Sequence, residues 1–412
     1  MKILARLAQG HGAMILGACL AVTVSTGAEA KVKAPAYELS KDFRAAARSA
    51  QAALDLGDLA GATMQIGSLN GMAASPAEKY AASALAMQLA VKRADLQAQR
   101  RAVTAMLDSE GAPPAELPYL RFLAGYLSYT LNQWADSIAQ LSYARQLGFQ
   151  DPRLLLLLAD ANIRVGKLPE GTALLTEAMA QQRTLGGTID PAWYDRAAAI
   201  TYQQKDWPGM AGWYAQKLAS YPSPGNWRSA VSNYLDNPVL TPAMKLDLYR
   251  LLSASGALAS ERDYHAYAAL AAQNGQHGEV KALIDAGRAS GKLLTKDSAT
   301  ATIYKTASAR AAKDKAALAA RAAKAGGAAD AADGYLAIGD YTKAAELYRK
   351  ALTGTPADPG QVNTRLGIAL ARSGHAEGAK QVLSAVTGPW HDIAQFWLVW
   401  AGQSGVVQPA LG

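Results

Sequence analysis

The sequence predicts an all-α chain built as a solenoid of antiparallel helix pairs. Three observations carry that expectation. Half of the 412 residues are hydrophobic, yet only 7% are aromatic and 18% charged; alanine supplies much of the apolar share and is the strongest helix former. Runs patterned as β-branched strands are absent from the sequence. A short turn motif, clearest as Gly339-Asp340-Tyr341, recurs at near-constant spacing between alanine-rich segments. A chain of this length exceeds what one hydrophobic core usually serves, which also points to an array.

Taken in order, residues 1–30 read as an export signal. Lys2 and Arg6 make a basic start, Ala13 to Val24 is an apolar run too short to span a bilayer, and Ala28-Glu29-Ala30 offers small residues for cleavage. Cleavage there removes two of the 41 Lys/Arg and one of the 33 Asp/Glu, leaving a formal charge of +7. The expected location is the periplasm. Leu16-Gly17-Ala18-Cys19 also resembles a lipoprotein lipobox, so an outer-membrane lipoprotein anchored through Cys19 is the alternative; the apolar residues after Cys19 speak for plain export. Cys19 is the only cysteine, so cleavage after Ala30 leaves neither a disulfide nor a thiol nucleophile. No later run reaches the roughly 18 apolar residues of a membrane helix.

The turn motif then recurs at Gly57-Asp58-Leu59, Asn132-Gln133-Trp134, Gly166-Lys167-Leu168, Lys205-Asp206-Trp207, Gly275-Gln276-His277 and Gly374-His375-Ala376, with weaker members at Arg93 and Lys313. Spacings between first residues are 36, 39, 34, 39, 70, 38, 26 and 35. The 70 fits two units with an eroded turn near 240. The physical logic is local. Gly339 permits the positive-φ residue that ends one helix, and Asp340 caps the next by accepting from a free N–H. Ala344, Tyr348, Ala351 and Leu352 then share one helix face. Pro/Gly stretches at 109–118, 184–193, 221–227 and 353–360 read as loops. Lys324 to Asp333 (KAGGAADAAD), at the short spacing, is the expected break. The expected layout is an array at 31–325, a well-formed pair at 326–386, and a cap helix with tail at 387–412. In the cap, Trp390, Ile393, Ala394 and Trp397 form a packing face, while exposure of Phe396, Trp397 or Trp400 would mark a partner patch.

A period near 34 with a helix-turn-helix pattern resembles the tetratricopeptide repeat (TPR) family. Tyr335, Gly339, Ala344, Tyr348, Ala351 and Pro356 fall on its signature positions, as do Leu366-Gly367, Gly374 and Ala379 in the next unit, and Gly125, Trp134 and Ala144 upstream. The resemblance implies a right-handed superhelix with a concave groove lined by first helices, holding a peptide or helix of another protein. Aligned to the repeat, its groove-facing residues are Tyr126, Tyr129, Asp160, Arg164, Tyr202, Arg365 and Arg372. A Lys/Asn clamp for a C-terminal carboxylate is not found among them.

Catalytic chemistry has little support. His265, His277, His375 and His391 lack metal-ligand spacing. Gly287 to Lys292 (GRASGK) is one residue short of a phosphate loop and is followed by Leu293 instead of Ser/Thr; it reads as a helix C-terminus. No catalytic, cofactor-binding or metal-ligating residue is expected, and the lytic transglycosylases that share helical superhelices carry a lysozyme-like domain not recognised here. The chain carries +8 overall, and Lys305 to Lys324 concentrates Lys305, Arg310, Lys313, Lys315, Arg321 and Lys324 against Asp314 alone. That strip suits a solubilising face or an anionic envelope surface; export argues against nucleic acid. The expected function is a non-enzymatic periplasmic scaffold for protein–protein contact in envelope assembly, secretion or polysaccharide export. The alternative is a peptidoglycan- or polysaccharide-binding module, which needs exposed faces on Trp193, Trp213 and Trp227.

Overall fold

The computed structural model describes residues 38–294 and 298–403; the expected export signal and Cys19 lie outside them. The described chain is all-helical. In order, the helices are α1 (Lys41–Asp55), α2 (Leu59–Met72), α3 (Pro76–Lys92), α4 (Leu96–Asp108), α5 (Leu117–Thr130), α6 (Trp134–Gln146), α7 (Pro152–Arg164), α8 (Leu168–Thr184), α9 (Pro191–Gln203) and α10 (Trp207–Ser220). There follow α11 (Pro224–Tyr234), α12 (Pro242–Ala254), α13 (Glu261–Gln273), α14 (His277–Ala289), α15 (Ser298–Ala323), α16 (Ala328–Ala337), α17 (Tyr341–Leu352), α18 (Pro359–Arg372), α19 (Ala376–Ser384) and α20 (His391–Gln403), with a 3-10 turn at Gly388–Trp390. Consecutive helices pack as pairs.

The turns of the recurring motif are one structure repeated. At Gly339 (φ 81°), Gly339 N donates to Leu336 O and Asp340 N donates to Tyr335 O at 2.9 Å, closing the helix end with a six-to-one bond. Asp340 Oδ1 then accepts from Lys343 N at 3.1 Å and starts α17. The same six-to-one bond, 2.8–3.0 Å long, recurs after the left-handed residues Gly57, Ala94, Asn132, Gly166, Lys205, Gly275 and Gly374. The eroded turn expected near 240 is Leu235–Thr241, between α11 and α12.

Lys313 is a correction. It lies mid-way along α15, a continuous 26-residue helix. The segment has no Gly, Pro or Asn to break it, and its alanines favour helix throughout. One long helix therefore stands where the repeat pattern expects a hairpin, which explains the spacing of 26.

The chain divides into two compact units, one up to Ile189 and one from Asp190. The division falls in the 184–193 stretch; Lys324–Asp333 lies inside the second unit, where α15 packs on α16. In the first unit, α1 meets α3 and α5 meets α7, so first helices of neighbouring pairs share a face. Its core includes Phe43, Leu54, Leu69 and Leu85, all buried.

The second unit has one continuous core from Ala198 to Ala401. Its last helix, α20, packs on α18 and α19 as a cap would, and also returns to α10 and α12. Tyr234 stacks edge-on against Phe396 at 5.4 Å and its hydroxyl donates to Asp392 Oδ2 at 2.7 Å. Gln403 Nε2 donates to Leu218 O at 2.8 Å. The apolar patch considered for this helix is internal: Phe396 and Trp397 are 0% and 1% exposed, and Trp400 is half-buried beside Trp397.

Candidate functional site

In the first unit the structure brings four of the expected residues together. Tyr126 and Tyr129 lie on α5, half-buried, and Asp160 and Arg164 lie on α7, which α5 contacts. The turn residues Asn132 and Gly166 set these helices 34 residues apart, so Tyr119 and Tyr126 occupy the same repeat positions as Arg153 and Asp160. Tyr129 donates its hydroxyl to Asp160, which is buried at 3% exposure. Arg164 reaches the same carboxylate at 3.5 Å, lies 5.3 Å from the Trp134 ring, and keeps half of its side chain exposed. Trp134 in turn meets Tyr129 edge-on at 5.2 Å. Nearby, the Arg153 guanidinium pairs with Asp151 and sits 5.7 Å from the Phe122 ring. Burial pushes the Tyr119 hydroxyl above its usual pKa, with the Arg153 charge opposing. Asp160 is thus a support under the face, a correction to its expected place on the groove surface: a carboxylate this buried persists because Tyr129 and Arg164 compensate it.

In the second unit Tyr202 repeats part of this pattern. It meets Trp207 edge-on at 5.5 Å and its hydroxyl donates to Asp236 Oδ2 at 3.2 Å, with 37% exposure. Arg372 lies 4.9 Å over the Tyr341 ring and donates to its hydroxyl at 2.8 Å. Arg372 stands two residues before its turn glycine and Tyr341 two after the preceding one; Arg164 and Trp134 hold the same offsets. These two cations each staple their own repeat to the one before it.

Arg365 is a further correction. It is 4% exposed, with Nε on Asp247 at 2.9 Å and Nη1 on Asp333 at 2.7 Å. Around it, Arg250 binds Asp247 and Glu279, each at 2.6 Å, Tyr267 donates to Glu279 at 2.6 Å, and Tyr348 donates to Asp333 at 2.6 Å. Burial opposes the charge on Arg365 and Arg250, and the facing carboxylates outweigh it, holding both above the usual arginine range. Inner faces of α12, α14, α16 and α18 therefore meet in an ion-pair network, not an open groove. Asp247 and Arg250 pair locally, three residues apart, but the links that make a network, Arg250 to Glu279 and Arg365 to Asp247 and Asp333, span 29, 118 and 32 residues and escape sequence reasoning. The Arg-x-Gly before two turns is a local signal that reveals the staples.

GRASGK ends α14, with Ser290 as C-cap and Gly291 at φ 70°. Trp227 is buried, whereas Trp193 and Trp213 are half-buried. Lys305, Arg310, Lys313, Lys315 and Lys324 are exposed and Arg321 half-buried. No helix among the described residues is long and apolar enough to cross a membrane.

No family model matches the chain, and no curated protein matches it. Among solved structures, it is similar to the P58(IPK) TPR domain, with 13% identity, 89% of this chain and 94% of that one covered, and a TM-score of 0.23. It is also similar to a chain of the APC/C hetero-tetramer Cut9-Hcn1, with 12% identity, 87% and 66% covered, and a TM-score of 0.24. Superpositions that loose carry no weight. The chain's own recurring turns and paired helices are what make it consistent with a TPR protein.

Proposed function

We infer that the chain is a non-enzymatic, exported scaffold that holds a peptide or helix of another protein on the shared face of α5 and α7. Its setting is a cell envelope, in assembly, secretion or polysaccharide export. One observation carries the docking face: two half-exposed phenols on α5 stand beside two exposed guanidiniums on α7, with Asp160 buried beneath Arg164 and Asp151 pairing Arg153 from the α7 N-cap. Tyrosine and arginine are the residue types that most often supply interface energy. A guanidinium has five N–H donors, and the bonds from Arg153 to Asp151 use only Nε and Nη2. Such a face suits a peptide with acidic and apolar side chains. Tyr202, Arg365 and Arg372 do not join it: they belong to the second unit, where they bond to Asp236, to Asp247 and Asp333, and to Tyr341.

The test is affinity capture from envelope extract, comparing the unchanged chain with Tyr126→Ala/Arg164→Ala. Arg164 also compensates the buried Asp160 carboxylate, so the variant should melt lower; loss of specific partners while circular dichroism still reports the native helix content supports the face, and the same partners in both samples overturn it. Mass spectrometry of the N-terminus tests export, with a start at Lys31 expected and a lipid-modified Cys19 favouring the anchored alternative. Carbohydrate binding is the second reading, favoured by the half-exposed indoles of Trp193 and Trp213 and opposed by the buried one of Trp227.

A further inference from the structure

We propose that α15 adsorbs to an anionic phospholipid surface, independently of the peptide face. This helix is about 39 Å long at 1.5 Å per residue. Its buried side is thin: Ala307 and Leu318 are the buried apolar residues, with Ile303 and Tyr304 partly covered. Its exposed side carries Lys305, Arg310, Lys313 and Lys315, with Lys324 just beyond its end. The single acidic residue of the segment, Asp314, is engaged by His277 Nδ1 at 2.6 Å. The cations are therefore uncompensated along their own helix.

Arg310, Lys313 and Arg321, spaced three and eight residues apart, fall within a stripe about 80° wide at 3.6 residues per turn, and Lys324 follows one residue past the helix end. Lys305 and Lys315 lie outside that stripe. Between them the exposed residues are alanines, including Ala309, Ala312, Ala316, Ala319, Ala320 and Ala323. This composition decides the partner. A protein interface needs bulky anchors and pockets, and this face has neither. A bilayer needs none: its headgroups diffuse to meet cations spread over a wide arc, each contributing about 1 kcal/mol near the surface. With the apolar side chains turned inward, nothing is available to insert into the acyl region. Binding should be peripheral, reversible and steeply salt-dependent.

Co-sedimentation of the purified chain with vesicles tests this. Binding is expected to phosphatidylcholine vesicles containing phosphatidylglycerol, to be absent with phosphatidylcholine alone, and to disappear at high salt. Changing Lys305, Arg310, Lys313 and Lys324 together to Gln should reduce partitioning at least about a hundredfold. Gln keeps helix propensity and the four side chains are exposed, so circular dichroism should be unchanged. A charge-preserving control, Lys305→Arg/Lys313→Arg/Lys324→Arg, should bind as the original does. Equal binding to both vesicle types overturns the proposal. So does undiminished binding by the Gln variant, and so does binding to soluble polyglutamate without binding to anionic vesicles, which would assign the strip to an acidic protein.

Discussion

Ala94 and Lys205 hold left-handed backbone, at φ 53° and 60°, in turns where other repeats place glycine. A Cβ in that region meets the following carbonyl, at a cost of about 1–2 kcal/mol. Ala94→Gly and Lys205→Gly should therefore each stabilise the chain by about 1 kcal/mol, less the entropy that glycine adds to the unfolded state. Denaturant titration reads this directly, and a loss of stability would show that the turn does not set the strain. Gly367 faces the opposite constraint. A Cβ there would stand 2.4 Å from Leu383, across the pair formed by α18 and α19. Gly367→Ala should cost about 1–3 kcal/mol through overpacking. The two kinds of glycine look alike in sequence but act differently: one frees a dihedral, the other makes room for a neighbouring helix.

At the scale of the element, some helices are tied to a neighbour by a few polar contacts at their ends. Glu78 ties the start of α1 to the start of α3: its carboxylate accepts from Ser40 Oγ at 2.6 Å, Ser40 N at 3.0 Å, Ala74 N at 2.9 Å and Ser75 N at 3.2 Å. The Ser40 hydroxyl leads the effect, and together these donors lower the Glu78 pKa from the ordinary 4.5 to about 2. A depressed carboxyl pKa contributes stability that is complete above the unfolded value, and is lost as pH falls from about 4.5 towards 2. Glu78→Gln should cost about 2 kcal/mol at neutral pH and nothing near pH 2, as measured by thermal melts across that range. A pH-independent difference would mean that Gln fails through packing instead of charge. The turns of the recurring motif were legible because each needs a left-handed residue at the helix end, followed at Asp58, Asp95, Asp206 and Asp340 by a side-chain cap. The false turn at Lys313 arose from spacing alone; α15 has no residue there that favours φ > 0. The face of α5 and α7 was legible from repeat register, yet register could not show which side chains are already spent. Arg372 looks like a free cation until Tyr341 is seen beneath it, accepting its hydrogen bond; Arg164 rests on Trp134 and still keeps half of its side chain exposed.

At the scale of the whole molecule, the second unit is held by contacts between its distant ends. Trp397 Nε1 donates to Asp247 O at 3.2 Å, and Arg365 meets Asp247 Oδ2 at 2.9 Å, across sequence gaps of 150 and 118 residues. Nothing local announces these pairs, which is why Arg365 read as a groove residue. Asp247 joins these elements because it is 0% exposed and serves two guanidiniums at once, Arg250 and Arg365. Removing its charge leaves both with too few counter-charges in a dry site. Asp247→Asn should therefore destabilise the second unit by about 3–5 kcal/mol. Amide exchange should quicken in α12, α18 and α20 and stay unchanged in α1–α8. The physics also predicts non-additivity. Burying charges costs solvation that their attraction only partly returns, so removing both partners is far cheaper than stranding one. Asp247→Leu with Arg365→Met should then lose less stability than Asp247→Leu alone, even though Arg250 keeps Glu279 as its only close counter-ion. Losses that simply add in this double-mutant cycle would mean that the two charges act separately, and that apolar packing of α20 alone joins the ends of the unit.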